Sequence, residues 1–314
     1  MIRDQDLVFN VIWTGSVFRY LRYFVCSLLA HSEARFRFVV NGVPPDACEL
    51  IEEFADAHRD RVVEVLDVSP SGMLPHGKAL DAVYRVRDDG GFFCFVDADI
   101  KARQPFLAEF RELLNEHAVV TSGRTVWTDD HVRPADRPGV SGRHFFDQDG
   151  FVFGSSHLAI YHRGPLDETM ARWGVGLGSP GPNLLDETRE RLDTLGRGYV
   201  MFDTAKIVNI LLQGDGHSLC HFDHPELVHI GGVSHYLAPR QGPRGEDEEE
   251  PNWAQLEEMA PRFEVTRFTA SVLRDLSEGR RAPQVPAGLE SDMEERLRIV
   301  SEELTDLVES YRSC

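Results

Sequence analysis

Residues Gly91–Ile100 read GFFCFVDADI. Phe92 to Val96 form a short, unbroken apolar run. Such a run reads as a strand buried on both faces, the kind found in parallel sheets. Asp97 and Asp99 follow at once, spaced i, i+2. Open α/β sheets place their ligands at this carboxyl edge of the strands. Two carboxylates are costly to bury without a cation. Hard oxygen donors at a strand end suit magnesium or manganese holding a diphosphate. The plainer alternative is a strand that ends in an Asp-rich turn.

Upstream, the pattern alternates. Leu7–Trp13 is an apolar, β-branched strand closed by Thr14-Gly15-Ser16. Val17–His31 has Phe18, Leu21, Val25 and Leu28 at helical spacing. Arg35–Val40 is a second strand closed by Asn41-Gly42, and Ala47–His58 a second helix. Val62–Val68 is a third strand, and His76–Val86 a third helix. This βαβαβαβ order predicts a doubly wound, mostly parallel α/β sheet.

Downstream, Pro105–His117 reads as a helix, and Ala118–Ser122, Phe151–Phe153 and Leu158–Tyr161 as strands. Thr128–Gly150 and Gly174–Pro182 read as loops. Leu184–Leu195 and Asp203–Gln213 read as helices, the second with Asp203 as its N-cap, and Leu219–Phe222 as a last strand. Gln241–Pro251 carries the acidic run Glu246–Glu250, which reads as a solvated linker. Trp253–Gly279 and Leu289–Tyr311 read as two tail helices. The expected division is therefore a core over 1–240 with halves 1–100 and 101–240, a linker at 241–252, and helices over 253–314. The tail's apolar stripe, Leu297, Val300, Leu304 and Leu307, packs either on its own core or on a second copy of the chain.

The chain has 314 residues and a formal net charge of -19. That balance does not suit nucleic acid or an anionic membrane surface. No run approaches the ~18 apolar residues of a membrane span. The five cysteines are odd in number and contain no CxxC. That pattern predicts a reducing, cytoplasmic setting without disulfides or a thiolate zinc site. Lys78, Lys101 and Lys206 are the only lysines, which draws attention to Lys78 beside His76-Gly77 at a helix start.

Taken together, the N-terminal βαβαβ half, the D-x-D after a buried strand, an acidic residue heading a later helix and the H-x-G-G of His229–Gly232 resemble a GT-A glycosyltransferase. The family-2-like bacterial enzymes are the nearer likeness, over roughly Leu7 to Tyr236. The resemblance implies a Rossmann-like GT-A fold with a C-terminal helical appendage. It implies transfer of a hexose-type sugar from a nucleoside-diphosphate sugar to an acceptor hydroxyl, with Mn2+ or Mg2+. Asp99 would hold the ion, Asp97 the ion or the ribose, and His229 would be the third ligand, with His235 in reserve. Thr14, Gly15 and Asn41 would cradle the nucleoside, and His76, Gly77 and Lys78 the diphosphate. A carboxylate base, with inversion, would be Asp203, or else Asp186 or Glu187. Ser155, Ser156, His157, Trp127 and Trp173 would line the acceptor side.

Each residue also has a plainer reading. Thr-Gly and Asn-Gly are ordinary turn pairs, Lys78 can face solvent, His229 can cap a strand, and either tryptophan can pack in the core. Two other functions remain in play: a nucleotidyltransferase on a similar sheet, and a non-catalytic nucleotide- or sugar-binding scaffold. The first expects a Gly-rich basic loop after strand one, which Trp13–Val17 lacks. No GxGxxG follows that strand, so a dinucleotide-dependent dehydrogenase is disfavoured.

Overall fold

In the computed structural model the described residues are 2–127, 130–136, 139–178, 184–198, 202–237, 260–286 and 288–314. The acidic stretch 241–252, the start of the expected helix at Trp253 and part of the 174–182 loop lie outside them. Among the described residues, the first half runs β1 (Val8–Trp13), α1 (Phe18–Ala30), β2 (Arg35–Val40), α2 (Pro45–Ala57), β3 (Val62–Asp67), α3 (His76–Val86) and β4 (Phe92–Val96). It continues with β5 (Ile100–Ala102), α4 (Leu107–Leu113), β6 (Val119–Ser122), β7 (Leu158–His162), α5 (Arg163–Trp173) and α6 (Asp186–Thr194). Last come α7 (Lys206–Gly214), β8 (Leu219–His221), β9 (Leu227–His229), α8 (Ser234–Leu237), α9 (Ala260–Ser277) and α10 (Ser291–Ser310).

Seven strands form one sheet in the order β3-β2-β1-β4-β7-β6-β8. β1 to β4 are mutually parallel, β7 is antiparallel to both β4 and β6, and β6 is parallel to β8. The sheet is mixed α/β and mostly parallel, as expected. The chain reverses from β1 outward to β3 and then crosses to β4. That switch point puts the carboxyl ends of β1 and β4 side by side, where such sheets open a crevice.

Helices cover both faces, which is why β1, β2 and β4 are almost wholly buried. One apolar core gathers α1, α2, α9 and α10 through Phe18, Phe24, Phe54, Leu273 and Leu304. The other gathers α3, α5 and α7 through Leu80, Leu166, Val208 and Leu211. The stripe Leu297, Val300, Leu304, Leu307 and Val308 of α10 is buried within the chain's own core, so the alternative of a zipper between two copies is not supported.

β5 and β9 make a second, two-stranded antiparallel sheet with Ile100 opposite His229. Both strands are three residues long, too short for periodicity to reveal. Helix α5, with only Leu166 and Thr169 fully buried, also escaped prediction. The expected strand at Phe151–Phe153 is reduced to an isolated bridge between Phe146 and Val152.

The expectation of no disulfide is overturned: Cys26 on α1 is bonded to Cys314, with Cα atoms 6.4 Å apart. Spacing in sequence carries no information on a contact between residues 288 apart. No described helix is long and apolar enough to cross a membrane.

Candidate active site

Three chain segments meet first at the carboxyl end of β4. Asp97 and Asp99 follow β4 directly. His157 precedes β7, and because β7 is antiparallel to β4, with Val96 opposite Leu158, His157 lands beside Asp97. The Asp97 amide donates to the His157 carbonyl at 2.7 Å. His229 ends β9, and the β5–β9 register sets it across from Ile100, one residue past Asp99. Two glycines, Gly231 and Gly232, turn the chain away with φ of +74° and +76°. A side chain at Gly231 would also meet Thr125 Cγ2 at 2.8 Å. Both glycines are thus required by the turn.

The side chains converge. His157 Nδ1 is 3.0 Å from Asp97 Oδ2. His229 Nε2 is 3.2 Å from Asp99 Oδ1 and 3.7 Å from Asp97 Oδ2. His76, at the start of α3, places Nε2 3.6 Å from Asp97 Oδ1 and Nδ1 3.3 Å from the Thr204 hydroxyl. His229 Nδ1 donates to the Gly123 carbonyl at 2.8 Å. That bond keeps a proton on Nδ1, so Nε2, which faces the two aspartates, is the nitrogen that would be free for a metal.

The electrostatics fit a cation. Burial pushes the Asp97 carboxyl up to about 7, against the pull of His76 and His229. Burial also opposes charge on His229, but Asp99 and then Asp97 outweigh it and raise that imidazole. Burial, then His229, hold His157 well below the usual histidine range. A buried imidazole whose proton affinity two carboxylates raise marks a place where positive charge is favoured, as a divalent ion would supply it. Carboxylate oxygens with imidazole nitrogens suit manganese and its first-row neighbours, so the residues present fit such an ion.

Asp203 reaches the same place from another direction. It lies in the loop ahead of α7, where a methyl group added at Gly142 would collide with Asp203 Oδ2 and would itself stand 3.0 Å from Ser156 Oγ and 3.5 Å from His157 Cε1. Asp203 Oδ1 accepts the Thr204 amide at 2.7 Å. It is not the N-cap that was expected. α7 starts at Lys206 behind Ala205, whose φ of 64° makes it the sole described non-glycine residue in the left-handed region. Backbone held in that region concentrates at functional sites.

Lys206 is fully buried, donating its ammonium to the carbonyls of His144 at 2.9 Å and of Gly154, above the Phe145 ring. Burial pushes it down to about 7, with Asp203 opposing.

Asp186 and Glu187 are not brought to this cluster. They stand exposed in the first turn of α6. That helix is tied to the far end of α7, where Arg191 bonds the Gly214 carbonyl. Trp173 lies at that end too, donating to Asp215 at 2.9 Å, and Trp127 packs against the core.

Thr14 and Gly15 follow β1, Asn41 follows β2, and Gly77 and Lys78 stand in the first turn of α3 beside His76. The Asn41 amide is spent on both backbone groups of Leu74, at 2.7 and 2.8 Å, and so pins the loop before α3. Gly77 is needed for close approach: a side chain there would sit 2.6 Å from Gly178 Cα. Lys78 Nζ is half exposed, 3.8 Å from Asp81. His235 lies on α8, with its side chain outside those described.

No family profile and no curated protein matches the sequence. Solved structures resemble the chain weakly. S. aureus TarS 1-349 is 12% identical at a TM-score of 0.46, over 98% of this chain and 91% of that one. The mannosyltransferase PcManGT from Pyrobaculum calidifontis, solved with GDP-Man and Mn2+, is 12% identical at 0.41, over 98% and 70%. The 4-diphosphocytidyl-2C-methyl-D-erythritol synthase from Anaerococcus prevotii is 8% identical at 0.40, over 74% and 93%.

Proposed function

We propose that the chain is a glycosyltransferase of GT-A type, moving a sugar from a nucleoside-diphosphate donor to an acceptor hydroxyl. The observation that supports this most is the meeting of Asp97, Asp99 and His229 at the carboxyl end of β4, with Asp203 reaching the same cluster. Asp97, Asp99 and His229 hold a divalent ion, which when bound offsets the charge on the departing diphosphate as a Lewis acid. Thr14 and Gly15, at the end of β1, face the nucleoside, and Lys78 in the first turn of α3 adds positive charge for the phosphates. Asp203 takes the proton of the acceptor hydroxyl, which favours inversion.

Calorimetric titration of UDP, GDP and dTDP, with and without manganese, tests this reading. One nucleotide binds in a metal-dependent way, and Asp99→Ala abolishes that binding. The substitution lowers transferase activity about 100- to 1000-fold, the worth of several kcal/mol of charge stabilisation. A folded protein that binds no nucleotide overturns the assignment.

A further inference from the structure

We propose that His157 is a fourth protein ligand of the ion, so that two imidazoles and two aspartates bind a first-row transition cation without help from a nucleotide. This deepens the glycosyltransferase reading by naming the class of metal, and it rests on that reading only for the ion's use in catalysis.

The geometry carries it. Ligand atoms of Asp97, His157 and His229 lie within 4.8 Å of one another. Donors bound about 2.1 Å from one ion stand roughly 3.0 Å apart at right angles and roughly 3.4 Å apart at tetrahedral angles. The spacings here are 3.0 Å for His157 Nδ1 to Asp97 Oδ2, 3.2 Å for His229 Nε2 to Asp99 Oδ1 and 3.7 Å for His229 Nε2 to Asp97 Oδ2. The first two match such edges and the third is longer; Asp99 lies outside the set of three mutually close ligand atoms and would complete the coordination by turning its carboxylate toward them.

The two rings also crowd one carboxylate oxygen, with centroids 4.4 Å apart. One hydrogen-bonded imidazole is enough to orient Asp97, and His76 Nε2 stands 3.6 Å from its other oxygen, an ion-pair distance. A second imidazole on the same oxygen is surplus as an orienting group and useful as a ligand. Both rings are shielded, with side-chain exposures of 18% for His157 and 2% for His229.

Two nitrogen donors change which metal is held. Magnesium prefers all-oxygen, largely hydrated surroundings, while imidazole raises affinity along the first-row series. The full chain should therefore take up Mn2+ or Co2+ alone, and Mg2+ should not displace them at comparable concentration.

The test is a titration of MnCl2 into the nucleotide-free chain, followed by electron spin echo envelope modulation to count coordinated nitrogens. Two nitrogens are expected in the native chain and one in His157→Ala, with at least a tenfold loss of Mn2+ affinity. Affinity alone would not separate a ligand from an orienting neighbour, which can cost as much; the nitrogen count does. One nitrogen in the native chain, no Mn2+ uptake without nucleotide, or equal competition by Mg2+ would each overturn the proposal. Should His157→Ala fail to fold, the count in the native chain still decides.

The two readings fail separately. Metal-dependent nucleotide binding with one nitrogen keeps the transferase and removes His157. Two nitrogens with no nucleotide binding keep His157 and remove the transferase.

Discussion

At the scale of single residues, the candidate site is tight around Asp203. Gly142 leaves no room for a methyl group beside Asp203 Oδ2. Gly142→Ala should displace that carboxylate and cut turnover about 100-fold, the usual cost of a misplacement near 1 Å. Metal affinity should be nearly unchanged, because Asp203 is not among the proposed ligands; steady-state kinetics beside Mn2+ titration checks both. Lys206 gives a pH signature. Its folded value is lowered to about 7 while the unfolded lysine keeps its ordinary value, so between these the unfolded chain binds a proton that the folded chain does not. Stability therefore rises with pH from about 7 to about 10, by up to about 1.4 kcal/mol per unit from this group. Lys206→Met should flatten that slope in denaturant melts run across the range. That the two aspartates close a buried strand was legible in the sequence, while the place of His229, just before a glycine pair, came from the resemblance alone. The position of His157 beside Asp97 was not legible, since nothing in Leu158–Tyr161 tells that this strand runs against β4.

At the scale of elements, the short β5–β9 pair is what sets His229 against Asp99. β5 is held from behind by α10: Lys101, 5% exposed in its side chain, bonds Glu303 at 2.8 Å and Asp306 at 2.6 Å. Asp306 is largely exposed and Glu303 keeps Arg103, so removing the lysine costs less than breaking a wholly buried pair. Lys101→Met should destabilise by about 1–3 kcal/mol. Amide exchange should quicken in α10 and β5 while β1 and β2 stay protected; uniform quickening would contradict this local role. α1 to α3 and β1 to β4 were readable, because strands buried on both faces and amphipathic helices each leave a period. α7 was placed three residues early, because Asp203 looks like a cap and nothing marks Ala205 as left-handed.

At the scale of the molecule, two layers of helices enclose one sheet, and the Cys26–Cys314 bond ties the last helix to the first. Reduction, or Cys26→Ser, should lower stability by about 2–4 kcal/mol. Denaturant unfolding with and without reductant measures this, and an unchanged midpoint would show that the bond contributes nothing. The apolar alternation made the fold class legible, since it reports which segments are buried. The pairing of distant cysteines was not, since it depends on where two surfaces meet after folding.

The same bond makes the stretch from residue 26 to residue 314 a closed covalent ring. A protease that cuts once inside it opens the ring without releasing a fragment. Such a nicked chain keeps its mass under non-reducing conditions and separates into two pieces only when the thiols are freed. Damage in the acidic stretch would thus leave α10 tethered to α1, and β5 still held in place beneath the site.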